Sequence, residues 1–400
     1  MAGLSLFLVV VVGVVVWLTQ RDTTYHAPLD TPTAPQASAG DAARLLHDLE
    51  SAVRRHDAAA GSRLGAGPAA SRALAGVVRN GAALHVAGFS LRYVDQTGGV
   101  APDGSWSADV ATSWRFAGFD RRAEHPEVRV RFAPTDGSLR IAAIGGGGRR
   151  SPLWLAGPVQ VRRSSDSLVL VAGSAALADR LAGYVRAAVP QVRGVLRSWR
   201  GRVVVEMPAS QQALERVLAA KPGQYDKIAA VTTTVDGARS RSAPTHVFVN
   251  PDVFVPLGAT GAQVVITHET THVATGAATT PAPIWLVEGF ADYVALRAQR
   301  LPLTTTAARI IALVRRDGRP RRLPGQREFA SGAKDLEARY ESAWLACRLL
   351  ADDGGSAALV GFYRAVDSGR PVGPSLRRAF GFGVPALTRQ WRTLLSHLPA

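Results

Sequence analysis

Cysteine is nearly absent: Cys347 is the single one among 400 residues. An intramolecular disulfide framework and a zinc site built from several thiolates are therefore excluded. Lysine is scarce too, with only Lys221, Lys227 and Lys334, so the net charge of +16 is carried by arginine. Arginines scattered among Ala, Gly and Val read as a solvated surface, open to attraction by anionic membrane or wall polymers. The sequence has no basic stripe interleaved with aromatics and no reader motif, so nucleic acid is not an expected partner. The G-x-S-x-G elbow of serine hydrolases is missing. The run from Gly145 to Gly148, followed by Arg149 and Arg150, lacks the order of a phosphate-binding loop and reads as a turn. There is no internal repeat. Apolar residues are not lacking. At 47% hydrophobic and 20% charged, the chain can fill real cores, and it is too long for one ordinary domain of roughly 100–200 residues.

One long hydrophobic run, residues 4–18 (LSLFLVVVVGVVVWL), carries no charge. With Ala2, Gly3 and Thr19 it reaches the low end of the ~17–25 residues of a membrane helix. No Lys or Arg precedes it, no cysteine follows it for lipid attachment, and the nearest A-x-A match, Ala37-Ser38-Ala39, lies far downstream. These absences favour an uncleaved anchor over a cleaved signal peptide, the rival reading. The expectation is a single-pass cell-membrane protein attached through residues 1–20, with its C-terminal domains extracytoplasmic. Residues 21–40, rich in Pro, Ala and Thr, read as a linker.

Residues 41–54 place Leu45, Leu46, Leu49 and Val53 at helical spacing behind Asp41, as an amphipathic helix requires. Alternating, strand-like segments follow at 83–93, 105–116, 127–132, 138–144 and 167–171. A helix and then antiparallel-type strands indicate an α+β domain with a curved sheet over 41–172, an order that resembles the NTF2-like cone fold. From 173 to 400 the pattern turns mostly helical, with helices at 175–199, 210–219, 261–276, 284–298, 304–316, 336–352, 355–367 and 385–396. A small sheet is expected from strands at 202–206, 228–235 and 246–250.

The chemistry concentrates in residues 264–293. His268-Glu269-Thr270-Thr271-His272 is an H-E-x-x-H sequence. Four residues advance a helix by about 400°, so the two histidines share one face, one turn apart. Both imidazoles then reach one Zn²⁺, while Glu269, turned about 100° from His268, stands beside the metal as a base for water. Catalytic zinc keeps three protein ligands. Glu288, in Trp285-Leu286-Val287-Glu288-Gly289-Phe290-Ala291-Asp292, supplies the third if the helix following Pro281 and Pro283 returns antiparallel. Asp292 follows one turn later on the same face, where a carboxylate orients a ligand histidine through its other ring nitrogen. Read blandly, Trp285, Leu286 and Phe290 are core residues and Asp292 is a surface acid. His246 lies outside the motif and reads as structural, on a strand (246–250) suited to align an extended peptide.

H-E-x-x-H followed by W-L-x-E-G-x-A-D-Y resembles the gluzincin metallopeptidases, which hold zinc with two His and one Glu. The whole layout resembles uncharacterised actinobacterial membrane-anchored metallopeptidase-like proteins with an NTF2-like N-terminal region. The resemblance is specific over 264–293 and diffuse elsewhere. Tyr340-Glu341-Ser342-Ala343 resembles the Y-E-x-G element of aminopeptidase-type gluzincins, in which the tyrosine donates to the oxyanion. Ser342-Ala343 replaces the usual Lys-Gly, and a core-capping role for Tyr340 stays open. No G-x-M-E-N-like segment for gripping a peptide amino terminus is present. The resemblance implies one Zn²⁺ per chain, held by His268, His272 and Glu288, with Glu269 as general base, Tyr340 at the oxyanion and a peptide or protein as substrate. The alternative is a catalytically silent peptidase-fold scaffold of the cell envelope.

Overall fold

The computed structural model describes residues 37–299, 301–330 and 332–399. Helix α1 (Ala39–Arg55) starts where the Ser38 side chain accepts the Asp41 N–H, and it stops at His56 in the left-handed region. Its buried face carries Leu45, Leu46, Leu49 and Val53, the stripe expected from their spacing. Two helices follow, α2 (Ala58–Arg63) and α3 (Pro68–Ala83). The strand expected from residue 83 begins only at Val86, because the Ala- and Gly-rich segment before it is helical. Pro68 opens α3, and Leu74, Val77 and Val78 bury one side of it.

Strands β1 (Val86–Thr97), β2 (Trp106–Phe116), β3 (Glu127–Thr135) and β4 (Ser138–Ile144) form an antiparallel sheet in chain order. Along β2, Trp106, Ala108, Val110, Thr112, Trp114 and Phe116 are buried while the residues between them are less so, the period-2 signature of a sheet with one core face. A short helix α4 (Leu153–Ala156) leads to the second sheet. That sheet comprises β5 (Gln160–Arg163), β6 (Ser167–Val171), β7 (Val203–Met207), β8 (Ala230–Thr234) and β9 (Thr245–Val249), in the order β5-β6-β7-β9-β8. Helix α5 (Ala175–Val195) connects β6 to β7, and α6 (Gln211–Leu218) lies between β7 and the edge strand β8 in the chain. Strand β6, grouped by sequence with the N-terminal strands, instead pairs in parallel with β7. Every residue of β6 and β7 is buried, which is the mark of strands covered on both faces.

One side of the second sheet shares a core with the first. Trp114, Phe116 and Phe132 belong to the same cluster as Leu168, Leu170, Val204, Leu214 and Phe248. The other side, with Val169, Val171, Val203, Val205 and Val247, packs under α5 and the later helix that carries the H-E-x-x-H segment. The remainder of the chain is helical: α7 (Pro251–Phe254), α8 (Gly258–Thr275), α9 (Ile284–Arg297), α10 (Leu303–Thr306), α11 (Ala308–Asp317), α12 (Leu336–Asp367), α13 (Val372–Phe380) and α14 (Val384–Ser396). The two helices expected at 336–352 and 355–367 are halves of α12, joined across Gly355 at φ 81°. The protein is thus α+β, with an N-terminal antiparallel sheet and a mostly helical C-terminal region containing a small sheet.

Among the described residues no helix is long and apolar enough to cross a membrane. The expected membrane attachment, transmembrane helix, single-pass topology and extracytoplasmic placement are corrected on that finding. The segment on which they rested, 1–20, lies outside the described residues.

Candidate metal centre

Helix α8 ends at Gly276, whose left-handed backbone (φ 67°) reverses the chain. Pro281 and Pro283 keep the connection extended until α9 begins at Ile284. The return is antiparallel: Glu288 reaches both α8 histidines, and Asp292, one turn further, reaches His268. A third helix fixes α9 in depth. A Cβ built on Gly289 would stand 2.3 Å from the Ala343 carbonyl oxygen of α12 and 3.0 Å from Cys347 Sγ. Only glycine permits that approach, and it is the residue next to Glu288.

His268 Nε2 and His272 Nε2 lie 3.2 and 3.3 Å from Glu288 Oε2. A tetrahedral ion bonded at about 2.0–2.1 Å sets its ligands roughly 3.3–3.4 Å apart. The two imidazole planes are perpendicular, with centroids 4.5 Å apart. His268, His272 and Glu288 therefore form a group able to hold a metal ion. His268 Nδ1 is 2.7 Å from Asp292 Oδ1, which turns Nε2 toward Glu288. Burial disfavours a charged His268, but Asp292 and Glu288 more than offset it and hold the ring well above the ordinary imidazole range. Burial would likewise raise Glu288, yet the neighbouring imidazoles of His272 and His268 keep its carboxyl well below the usual carboxylate range. The pocket is electrostatically matched to a cation.

The group opens into a cleft of about 420 Å³ lined also by Val231, Thr232, Glu269, Phe329 and Tyr340. Glu269 Oε2 is 2.6 Å from Thr232 Oγ1. Tyr340, in the first turns of α12, has its ring centroid 6.4 Å from that of His268 and packs edge-on against Phe329. Burial, together with the charges of Glu288, Asp292 and Glu269, pushes its phenol well above the usual range, so it remains a proton donor. All six residues singled out in the sequence meet at one place: Glu269 and Tyr340 share the cleft wall with His268, His272 and Glu288, and Asp292 contacts His268 from behind.

One feature differs from expectation. Strand β9 is not an edge, because β7 and β8 flank it; β8 is the edge, and its Ala230, Val231 and Thr232 line the cleft. His246, on β9, faces the opposite side of the sheet, stacked on Phe116. Sequence reasoning also missed Thr232, one of three consecutive threonines with no motif around it. A second group able to hold a metal, Asp120, Glu124 and His246, was missed as well. Asp120 and Glu124 are close in sequence, but His246 lies 126 residues beyond Asp120, with no local spacing to link them. No protein-family model and no curated protein matches this chain.

Proposed function

We propose that this protein is a zinc-dependent peptidase of gluzincin type, hydrolysing peptide bonds in the cleft between β8 and α8. The supporting observation is the convergence of His268, His272 and Glu288 at the ligand spacing of one tetrahedral ion, with Glu269 beside them. Two imidazoles and a carboxylate, with Asp292 behind one ring, are a donor set that suits Zn²⁺. When bound there, Zn²⁺ supplies Lewis acidity and lowers the pKa of water toward neutrality.

The remaining roles belong to the chain itself. A peptide laid along β8 pairs its backbone with the strand's free edge, which orients the scissile bond across the cleft. Glu269 takes the proton of the attacking water at its carboxylate and delivers it to the departing amine. Thr232 holds that carboxylate in place through its hydroxyl. Tyr340 offers its phenol O–H to the carbonyl oxygen as negative charge develops there.

An unbiased peptide library, assayed with chelator controls, tests the reading. Glu269→Gln should keep its metal and lose about 10²–10⁴ in rate. Glu288→Gln should lose metal and activity together. Cleavage by Glu269→Gln at the wild-type rate, or none by the metal-loaded wild type on any peptide, refutes the proposal and leaves the silent scaffold in its place.

A further inference from the structure

On the face of the second sheet turned toward the N-terminal sheet, opposite the face that meets the cleft, lies a further cluster. His246 comes from β9, Glu206 from the adjacent β7, and Asp120 and Glu124 from the connection between β2 and β3. All are buried, Glu124 at 0% and His246 at 1% exposure. His246 Nδ1 is 2.7 Å from Glu206 Oε1, while Nε2 is 3.0 Å from Asp120 Oδ1 and 4.0 Å from Glu124 Oε1. The second oxygen of Asp120 accepts the Phe116 N–H at 2.7 Å, leaving Oδ1 to face the imidazole. Among the described residues, neither oxygen of Glu124 has a hydrogen-bond partner.

We propose that Asp120, Glu124 and His246 hold a second divalent transition-metal ion, a structural clamp that ties the β2–β3 connection to the second sheet, with Glu206 orienting His246. The pattern repeats what surrounds His268: one carboxylate at 2.7 Å on Nδ1, and carboxylate oxygen facing Nε2. Both Nε2 separations, 3.0 and 4.0 Å, fall within about 4.4 Å, the widest span of two ligands bonded at ~2.2 Å to one ion.

Charge leads to the same place. Three carboxylates are buried against one imidazole, and Arg150, whose guanidinium also feels the charge of Glu124, donates to the Val235 carbonyl. A neutral Glu124 would still leave a buried hydroxyl and a carbonyl with nothing to bond, an arrangement that native interiors avoid. A cation satisfies both oxygens and the charge at once. One imidazole among carboxylates, with no thiolate, suits Zn²⁺ or Mn²⁺.

Elemental analysis of the full chain, produced with Zn²⁺ and Mn²⁺ supplied and then desalted, separates the two sites. The His268→Ala/His272→Ala variant should retain about one ion per chain, and adding Glu124→Gln should remove it. A folded His268→Ala/His272→Ala chain that carries no metal overturns the proposal. If those variants do not fold, wild-type crystals decide: anomalous scattering at the zinc or manganese edge should place a peak between His246 Nε2, Asp120 and Glu124, and its absence there overturns the assignment. Loss of the cleft metal alone leaves this site standing, so the two readings fail separately.

Discussion

Thr232 Oγ1 stands 2.6 Å from Glu269 Oε2 and 3.2 Å from the Glu269 carbonyl oxygen. The edge strand therefore both faces the cleft and grips the proposed base. Thr232→Val keeps the shape of the side chain and removes its only donor. Metal content should be unchanged and kcat should fall roughly tenfold through loosened positioning, well short of the loss on removing the base itself. Steady-state kinetics beside elemental analysis checks both halves of that expectation.

Asp292 acts on His268 through the far ring nitrogen, at 2.7 Å. Asp292→Asn retains an oxygen to accept the Nδ1 proton but withdraws the charge that makes the imidazole a stronger ligand. Metal affinity should drop about 10- to 100-fold. Competition against a chromogenic chelator reads it directly, and an unchanged affinity would reduce Asp292 to a bystander.

Gly289→Ala should be far costlier than its size suggests. The new methyl would meet the Ala343 carbonyl at 2.3 Å, so α9 must back away from α12 and carry Glu288 with it. We expect a destabilisation of about 1–3 kcal/mol, seen as a lower melting temperature, together with weaker metal retention.

Glu341 accepts the Ile310 N–H at 2.7 Å, and burial pushes its carboxyl up to about 7 in spite of that bond. Its folded value lies above the ordinary 4.5, so the folded chain binds more protons than the unfolded one in between. The contribution of this group to stability is therefore fully present below about pH 4.5 and is lost as pH rises through about 7. Glu341→Gln keeps an acceptor for Ile310 and abolishes the titration. Its melting temperature relative to wild type should be higher at pH 8 than at pH 5, by about 2–4 °C. Parallel melting curves that do not diverge with pH would show that Glu341 is not the group responsible.

Much of the site was legible because one helix carries most of it. His268, Glu269 and His272 follow from helical spacing alone, and Pro281 with Pro283 marks the turn that brings Glu288 back. Strands 138–144 and 167–171 were readable to the residue as alternating, strand-like segments. Ser167–Val171 was grouped with the antiparallel strands before it, and its burial on both faces beside β7 emerges only in the fold. The edge was misassigned for a related reason. β9 is the more apolar strand, and apolarity marks the middle of a sheet, whereas the threonines of β8 mark a half-solvated border. Helix α3 escaped because Ala, Gly and Asn dilute its periodicity. Asp120 and His246 are 126 residues apart, a distance over which no local pattern carries information.

The core shared by the two sheets has a consequence for how the molecule comes apart. Phe116 and Phe132 from one sheet and Leu170 and Phe248 from the other fill a single cluster. Neither sheet can be stripped away without wetting the apolar face of its neighbour. The two sheets are therefore one cooperative unit rather than beads on a string. A chain cut near residue 172 would yield two sticky fragments, and β6 would be separated from its partner β7. Slow amide exchange should extend through β2, β6 and β7 alike, since exposing any of them requires opening the same interior.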